Sequence, residues 1–261
     1  MKKEMHVKTW EECEKRLLQI EKENTKSLTG VWFRGLPNAC WRLTTTLERQ
    51  SARTYSVSGY WNLMSRIKPQ VETHTGVTWN VPKWSEPDSP FEVSFRKNSA
   101  WDYMVYLRHH GFPSPILDWS RSPYIAAYFA FAKRDAADDV AIYAFSETPN
   151  NIKSTPSSGP KICSHGGHNL KTDVRHSRQQ STYTVCVERD DATNRWRFAS
   201  HQRVLKSSES GQDVVYKTTI PASERTKILK YLDRFNLNGF SLFGSEEALM
   251  CTLAFREIDL K

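Results

Sequence analysis

The run Ser122-Pro123-Tyr124-Ile125-Ala126-Ala127-Tyr128-Phe129-Ala130-Phe131 constrains the fold more than any other part of the chain. Ser122 suits a helix N-cap and Pro123 the first helical position, where its fixed φ and missing N–H cost nothing. Ile125, Ala126, Phe129 and Ala130, backed by Tyr128 and Phe131, leave that helix apolar nearly all round. Such a helix must be enclosed by other elements. The segment before it, from His109 to Arg121, is polar and turn-rich. The free N–H groups of the helix therefore open beneath Asp118, Trp119 and Ser120, an arrangement suited to an anion or a phosphate. A capped core helix without a ligand is the other reading.

The rest of the sequence supplies the enclosing elements. Trp10 to Lys26 carries Cys13, Leu17, Leu18 and Ile20 among alternating Glu and Lys, the pattern of an amphipathic packing helix. Val31-Trp32-Phe33 reads as a short buried strand ending at Arg34-Gly35, followed by a Pro37-Asn38 turn. Thr46 to Arg53 begins another helix. Ser56 to Pro90 is polar with four prolines and reads as an insertion or lid, anchored by Trp79 and Trp84. Phe91 to Arg108, with Trp101, Met104, Val105 and Leu107, is expected to be helical.

Val140 to Phe145 is the strongest strand and is expected to be central. Asn150 to Lys171 reads as loop, Tyr183 to Val187 and Val214 to Ile220 as strands, and Ala222 to Phe235 as a helix. Asn236 to Gly239 breaks that helix, and Glu246 to Phe255 reads as a last helix or a helix-strand transition. The expected class is α+β: a single domain with a mixed central sheet flanked by helices, preceded by a helical extension over residues 1–29.

With 38% hydrophobic residues, 12% aromatic and nine Trp, the chain has material for a sizeable core and for aromatic-walled pockets. A net charge of +8 favours acidic partners such as nucleotides, nucleic acid or phosphate-bearing cofactors. No run approaches the ~18 apolar residues of a membrane span, and the N-terminus lacks a signal peptide's apolar core. The expectation is a cytoplasmic protein with no membrane partner. Five scattered cysteines fit reduced thiols, and none is assigned to catalysis. Cys163, His165 and His168 offer a C-x-H-x-x-H spacing but no second knuckle, so no metal is expected. Walker A, GxSxG, HExxH and GxGxxG patterns are all missing.

Phe33-Arg34-Gly35, continuing as FRGLPNACWRLTTTLER, together with HHGFPSPILDWSRSPYIAAYFAF, resembles the FRG domain family, named for that tripeptide. The likeness runs from Gly30 to Leu253, assigning 30–261 to the domain with an insertion around 56–90. It continues through Arg175 to Thr184 and Ile228 to Leu249. The family's acidic pair after Leu-Phe-Pro is here Gly244-Ser245-Glu246-Glu247, in which only Glu247 aligns well. Ser114-Pro115 stands where the family commonly has Thr-Arg. The resemblance implies a bacterial or phage-encoded module of toxin-like or phage-defence setting.

A remoter likeness, in the order aromatic-Arg-Gly, serine and late glutamate, is to ADP-ribosyltransferases of the Arg-Ser-Glu type. It implies NAD as cofactor, with Arg34 bracing it, Ser120 or Ser122 supporting the ribose, and Glu247 orienting a ribose hydroxyl and a macromolecular acceptor. Those residue types suit the chemistry. A carboxylate stabilises the oxocarbenium-like state formed when the nicotinamide–ribose bond breaks, and Glu247 or Glu246 is the candidate. Arginine's planar fork matches a pyrophosphate, and Gly35 would permit close backbone approach.

Each assignment has a structural counterpart. Arg34 could form an ion pair with Asp118, Ser120 and Ser122 could cap a helix, and Glu246 and Glu247 could offset a helix dipole. His110 is the candidate general base, or a buried hydrogen-bonding group. Asp118 either orients that histidine or caps the helix, and Trp119 either stacks on a base or fills the core.

Two other functional classes stay open. Arg175, Arg178, Arg189, Arg195, Arg197 and Arg203, with Trp196 and Tyr183, suggest a recognition module holding nucleic acid or a phage component, or else a solvated surface. A metal-dependent nuclease would use His110 and Asp118.

Overall fold

The computed structural model describes residues 3–27, 29–51, 53–85, 99–134, 137–147, 159–167, 170–207 and 213–260. Its strands are β1 (Glu4–His6), β2 (Val31–Leu36), β3 (Ile116–Ser120), β4 (Asp139–Ser146), β5 (Lys161–His165), β6 (Ser181–Asp190), β7 (Arg195–Phe198) and β8 (Val214–Pro221). The helices are α1 (Trp10–Glu23), α2 (Thr46–Gln50), α3 (Val57–Thr75), α4 (Ser99–His109), α5 (Pro123–Phe131), α6 (Arg175–Arg178), α7 (His201–Ser207), α8 (Arg225–Arg234), α9 (Gly239–Phe243) and α10 (Glu246–Ala254). The class is mixed α+β, with one eight-stranded sheet and helices around it.

The strand order is β1-β8-β4-β2-β3-β6-β5, with β7 also on β6. Among the described strands only the β1–β8 pair is parallel. β4 lies centrally, hydrogen-bonded to β2 along one edge and β8 along the other, because its β-branched and aromatic run is buried on both faces. β2 and β3 meet differently, pairing at the single position Phe33–Ser120. Beyond that point the sheet splits.

Helix α5 begins as its residues dictate, with the Ser122 hydroxyl accepting from the Ile125 N–H at 3.4 Å and Pro123 in the first turn. It is enclosed: Ala126, Ala127, Ala130 and Phe131 lie in a core shared with Phe33 of β2, Ile142 of β4 and Leu17 and Ile20 of α1. A second core joins α3 and α4 to β6, and a third lies around Trp32, Trp119 and Phe145.

Three local expectations change. The stretch read as insertion or lid contains the regular helix α3, whose Val57, Tyr60, Trp61 and Met64 fall at helical spacing and are buried. Trp79 is buried in the same core and Trp84 packs against it, as expected. Ile116–Ser120, expected as turn, is strand β3, since its residues pair along β6. Lys161–His165, expected as loop, is strand β5, again through pairing with β6. Helix α4 starts at Ser99. The rest of the expected 91–108 helix, and residues 150–158 of the expected loop, lie outside the described residues.

Candidate functional site

A cavity of about 840 Å³ occupies the split between β2 and β3. Its walls come from both sides of the sheet, with Phe33, Gly35, Ala126 and Phe129 from the α5 side and Arg34, Leu36 and Trp119 from the other. Among the described residues six cations line it, Arg34, Arg42, Arg49, Arg108, Lys133 and Arg175, against the one carboxylate of Asp118. Among the described residues only Arg108 of these six has a carboxylate within ion-pair distance. Trp41 and Phe243 add aromatic surface at the walls.

Arg34 sits between strands that no longer pair, and its guanidinium fills the gap by donating from Nη1 to the Asp118 carbonyl oxygen at 2.5 Å. The structural alternative of an ion pair with the Asp118 carboxylate is replaced by this backbone contact. Burial, together with the neighbouring Arg108 and Arg49 charges and against the pull of Asp118, lowers its pKa to about 10. It remains a cation at neutral pH, and its Nε has no hydrogen-bond partner among the described residues. The Asp118 carboxylate instead accepts from Arg108 Nε at 2.9 Å. Burial pushes Asp118 up, but Arg108 and Arg34 outweigh it and hold the carboxyl below its usual range.

His109, not His110, lines the cavity. His176 Nε2 lies 3.0 Å from the Gly167 carbonyl and must donate to it, so in the neutral ring Nδ1 accepts from the Tyr183 hydroxyl at 2.8 Å. The Tyr183 oxygen then accepts from His109 Nε2 at 3.4 Å. Burial lowers the His109 pKa, which keeps the ring neutral near pH 7.

Gly35 allows a close approach, but to helix α5: an added Cβ would lie 1.9 Å from the Ala126 carbonyl oxygen and 2.6 Å from the Ala130 nitrogen. Trp119 is buried, stacks on Phe145 and donates from Nε1 to Thr184 Oγ1 at 2.9 Å, filling core while one edge meets the cavity. Ser120 also lines the cavity, yet its hydroxyl donates to the Gln179 carbonyl at 2.8 Å and accepts from the Ser122 N–H at 3.1 Å. Ser122 caps α5 and is not part of the lining.

His110 is outside the cavity lining, packed at a tilt against Tyr106 and 3.3 Å from the Asp173 carboxylate, so it is not brought to Asp118. Glu247 is exposed in the first turn of α10 and outside the lining. Its own backbone N–H, the Ser245 hydroxyl and the nearby Arg175 charge lower its pKa. Arg34, Gly35, Asp118, Trp119 and Ser120 are thus brought together, whereas His110, Ser122 and Glu247 stand outside.

Sequence reasoning missed most of the charge. Arg108 follows Trp101, Met104 and Val105 at helical spacing, so a cation on that apolar stripe was a readable signal. Arg42 and Arg49 carried no such signal. The basic cluster read from sequence is dispersed: Arg175 faces the cavity, Arg197 and Arg203 pair with Glu188, and Arg189 lies over the Trp196 ring. Among the described residues no group of three or more His, Cys, Asp or Glu is placed to hold a metal, and His168 lies outside them. No helix among the described residues is long and apolar enough to cross a membrane.

Part of this site falls within a span that matches a known family model. Residues 29–139, less than half of the chain, match the family model described as FRG domain. The match includes β2, β3, α5 and every cavity cation except Arg175. The likeness read from sequence extended to Leu253, beyond the matched span. No curated protein and no solved structure matches the chain significantly, and the likeness to ADP-ribosyltransferases finds no support among the comparisons.

Proposed function

We propose that this FRG-domain chain binds a nucleotide in the cavity between β2 and β3, holding its phosphates with the arginines and its base against the aromatic walls. The observation that carries the reading is the charge of the lining, six cations to one carboxylate among the described residues, around a space of ligand size. Arginine's planar fork suits phosphate oxygens bidentately. Arg34 Nε, buried and without a partner among the described residues, gives a ligand one donor to satisfy. NAD is one candidate within this class.

NAD cleavage is the narrower version, favoured by Arg34 and Ser120 sharing the cavity. It requires a carboxylate facing the ribose. The lining carboxylate, Asp118, is held by Arg108, and Glu247 stands outside. Binding without turnover therefore takes precedence.

Calorimetric titration of ADP, ATP and NAD tests the reading, with nicotinamide release followed in the NAD samples. At least one nucleotide is expected to bind, and Arg34→Ala is expected to weaken it by about tenfold or more, the scale of one charge-assisted contact. Silence with all three ligands, or unchanged affinity in Arg34→Ala, refutes the pocket. Nicotinamide release that is lost in Glu247→Gln would restore the transferase chemistry.

A further inference from the structure

Trp41 is half exposed, at 50%, although large aromatic side chains are costly to leave in water. Its position is built. Trp41 N–H donates to the Asn38 carbonyl at 3.1 Å, the Cys40 N–H to Asn38 Oδ1 at 2.7 Å and the Ala39 N–H to the Asp139 carbonyl at 2.9 Å. From the other side the Tyr143 hydroxyl donates to the Trp41 carbonyl at 3.2 Å. The turn is fastened to the start of β4 and to a core tyrosine, so the indole is presented by a rigid support.

What it is presented to lies on both of its sides. Trp41 borders the main cavity and also a second one of about 490 Å³, whose other walls include Asn38, Arg134 and Ala137. Pro37 and Lys133 are shared in the same way. The boundary between the two spaces is thus an aromatic ring beside a cation. Each space alone falls within the range that holds a nucleoside-sized group. A flat ring suits base stacking, and a cation at the junction suits a phosphate linking two halves of a ligand. Arg134 is tied to Asp259, which leaves Lys133 as the cation shared by both spaces.

We infer that the second cavity is a subsite for the distal half of a two-nucleoside ligand joined through phosphate, which straddles Trp41 and Lys133. This rests on the nucleotide reading of the main cavity and extends it, since a mononucleotide would leave the second space empty.

Calorimetric titration of ADP and of diadenosine diphosphate into the full chain tests it, with Trp41→Ala and Ala137→Trp as variants. Ala137 borders the second cavity and is not part of the main cavity's lining, and a bulky side chain there fills the second space. The two-nucleoside ligand should bind at least about tenfold more tightly than ADP, the scale of one added base stack. Ala137→Trp should remove that advantage while leaving ADP affinity unchanged, and Trp41→Ala should weaken the two-nucleoside ligand by about tenfold. Thermal unfolding checks that the variants are folded, and Ala137→Leu serves as a milder filler should Ala137→Trp fail to fold. Equal wild-type affinities, or an advantage that survives the filler, overturn the subsite alone. A wild-type chain that binds neither ligand overturns the nucleotide reading and the subsite with it.

Discussion

The two faces of β2 differ in kind although their residues alternate along one strand. Phe33 and Gly35 turn towards α5, where Phe33 is fully buried and a Cβ on Gly35 would collide with the helix backbone. Arg34, between them, turns to the opposite side, among Asp118, Arg108 and the buried His201. One face is closed by close packing and the other is held open by charge. The contrast explains the tripeptide: Phe33 anchors the strand in the core, Gly35 lets the apolar helix lie against it, and Arg34 replaces strand pairing where β2 and β3 part. The fold and the candidate site depend on neighbouring residues of the same short strand.

Breaking the packed face should have the largest effect. Gly35→Ala places a methyl against backbone atoms of α5 that no rotamer change can move, so helix and strand must separate. Overpacking typically costs about 1–3 kcal/mol, and a collision with backbone lies at or above the top of that range. Chemical denaturation should show Gly35→Ala destabilised by about 3 kcal/mol or more. Near-wild-type stability would mean that α5 and β2 are not packed as closely as described.

Breaking the charged face should cost less. Arg108→Met leaves the Asp118 carboxylate beside Arg34 with its direct partner gone. Removing one member of a fully buried pair costs about 3–5 kcal/mol, and the partial exposure of this pair reduces that to about 1–3 kcal/mol. Adding Asp118→Asn removes the orphaned charge, so the double variant should recover part of the loss. Additive losses would show that the two residues do not act as a pair.

The same contrast separates what the sequence reveals from what it hides. The packed face was legible because it follows local rules: Ser122 and Pro123 start α5, its apolar surround requires burial, and the Val140–Phe145 run reads as the central strand it is. Helix α3 was also legible at Val57, Tyr60, Trp61 and Met64, but the prolines and polar residues around them mask its period. Strands β3 and β5 were not, since both are defined by β6, whose pairing is non-local.

The site divides likewise. Arg34, Gly35, Asp118, Trp119 and Ser120 lie in two sequence motifs recognisable as such, although only the first reads as a strand, and all five reach the cavity. Arg42, Arg49, Lys133 and Arg175 come from four separate places in the chain, and only tertiary structure gathers them. His109 and His110 are adjacent in sequence yet face different ways, because consecutive residues on a helix point about 100° apart. Choosing between them required knowing that Trp101 and Val105 face inwards.

A pH titration of stability sharpens the comparison most finely, because it reads the charged face without disturbing the packed one. His201 is buried beneath that face, with Nε2 3.1 Å from Thr184 Oγ1, and burial together with the Arg34 charge lowers its pKa to about 3. Its ordinary pKa is near 6.5, so between pH 6.5 and about 3 the unfolded chain binds a proton there that the folded chain refuses. The stabilising contribution is therefore complete above pH 6.5 and declines as pH falls through that window. One such group adds at most about 1.4 kcal/mol per pH unit to the slope of unfolding free energy against pH. His201→Gln should flatten the wild-type slope by up to that amount between pH 6 and 4. Arg34→Met should flatten it less, because burial remains as the larger cause after the neighbouring cation is removed. Identical slopes in wild type and His201→Gln would show that His201 is free to protonate in the folded chain. The interior behind the charged face would then be wetter than the packing of Trp119 and Thr184 around it implies.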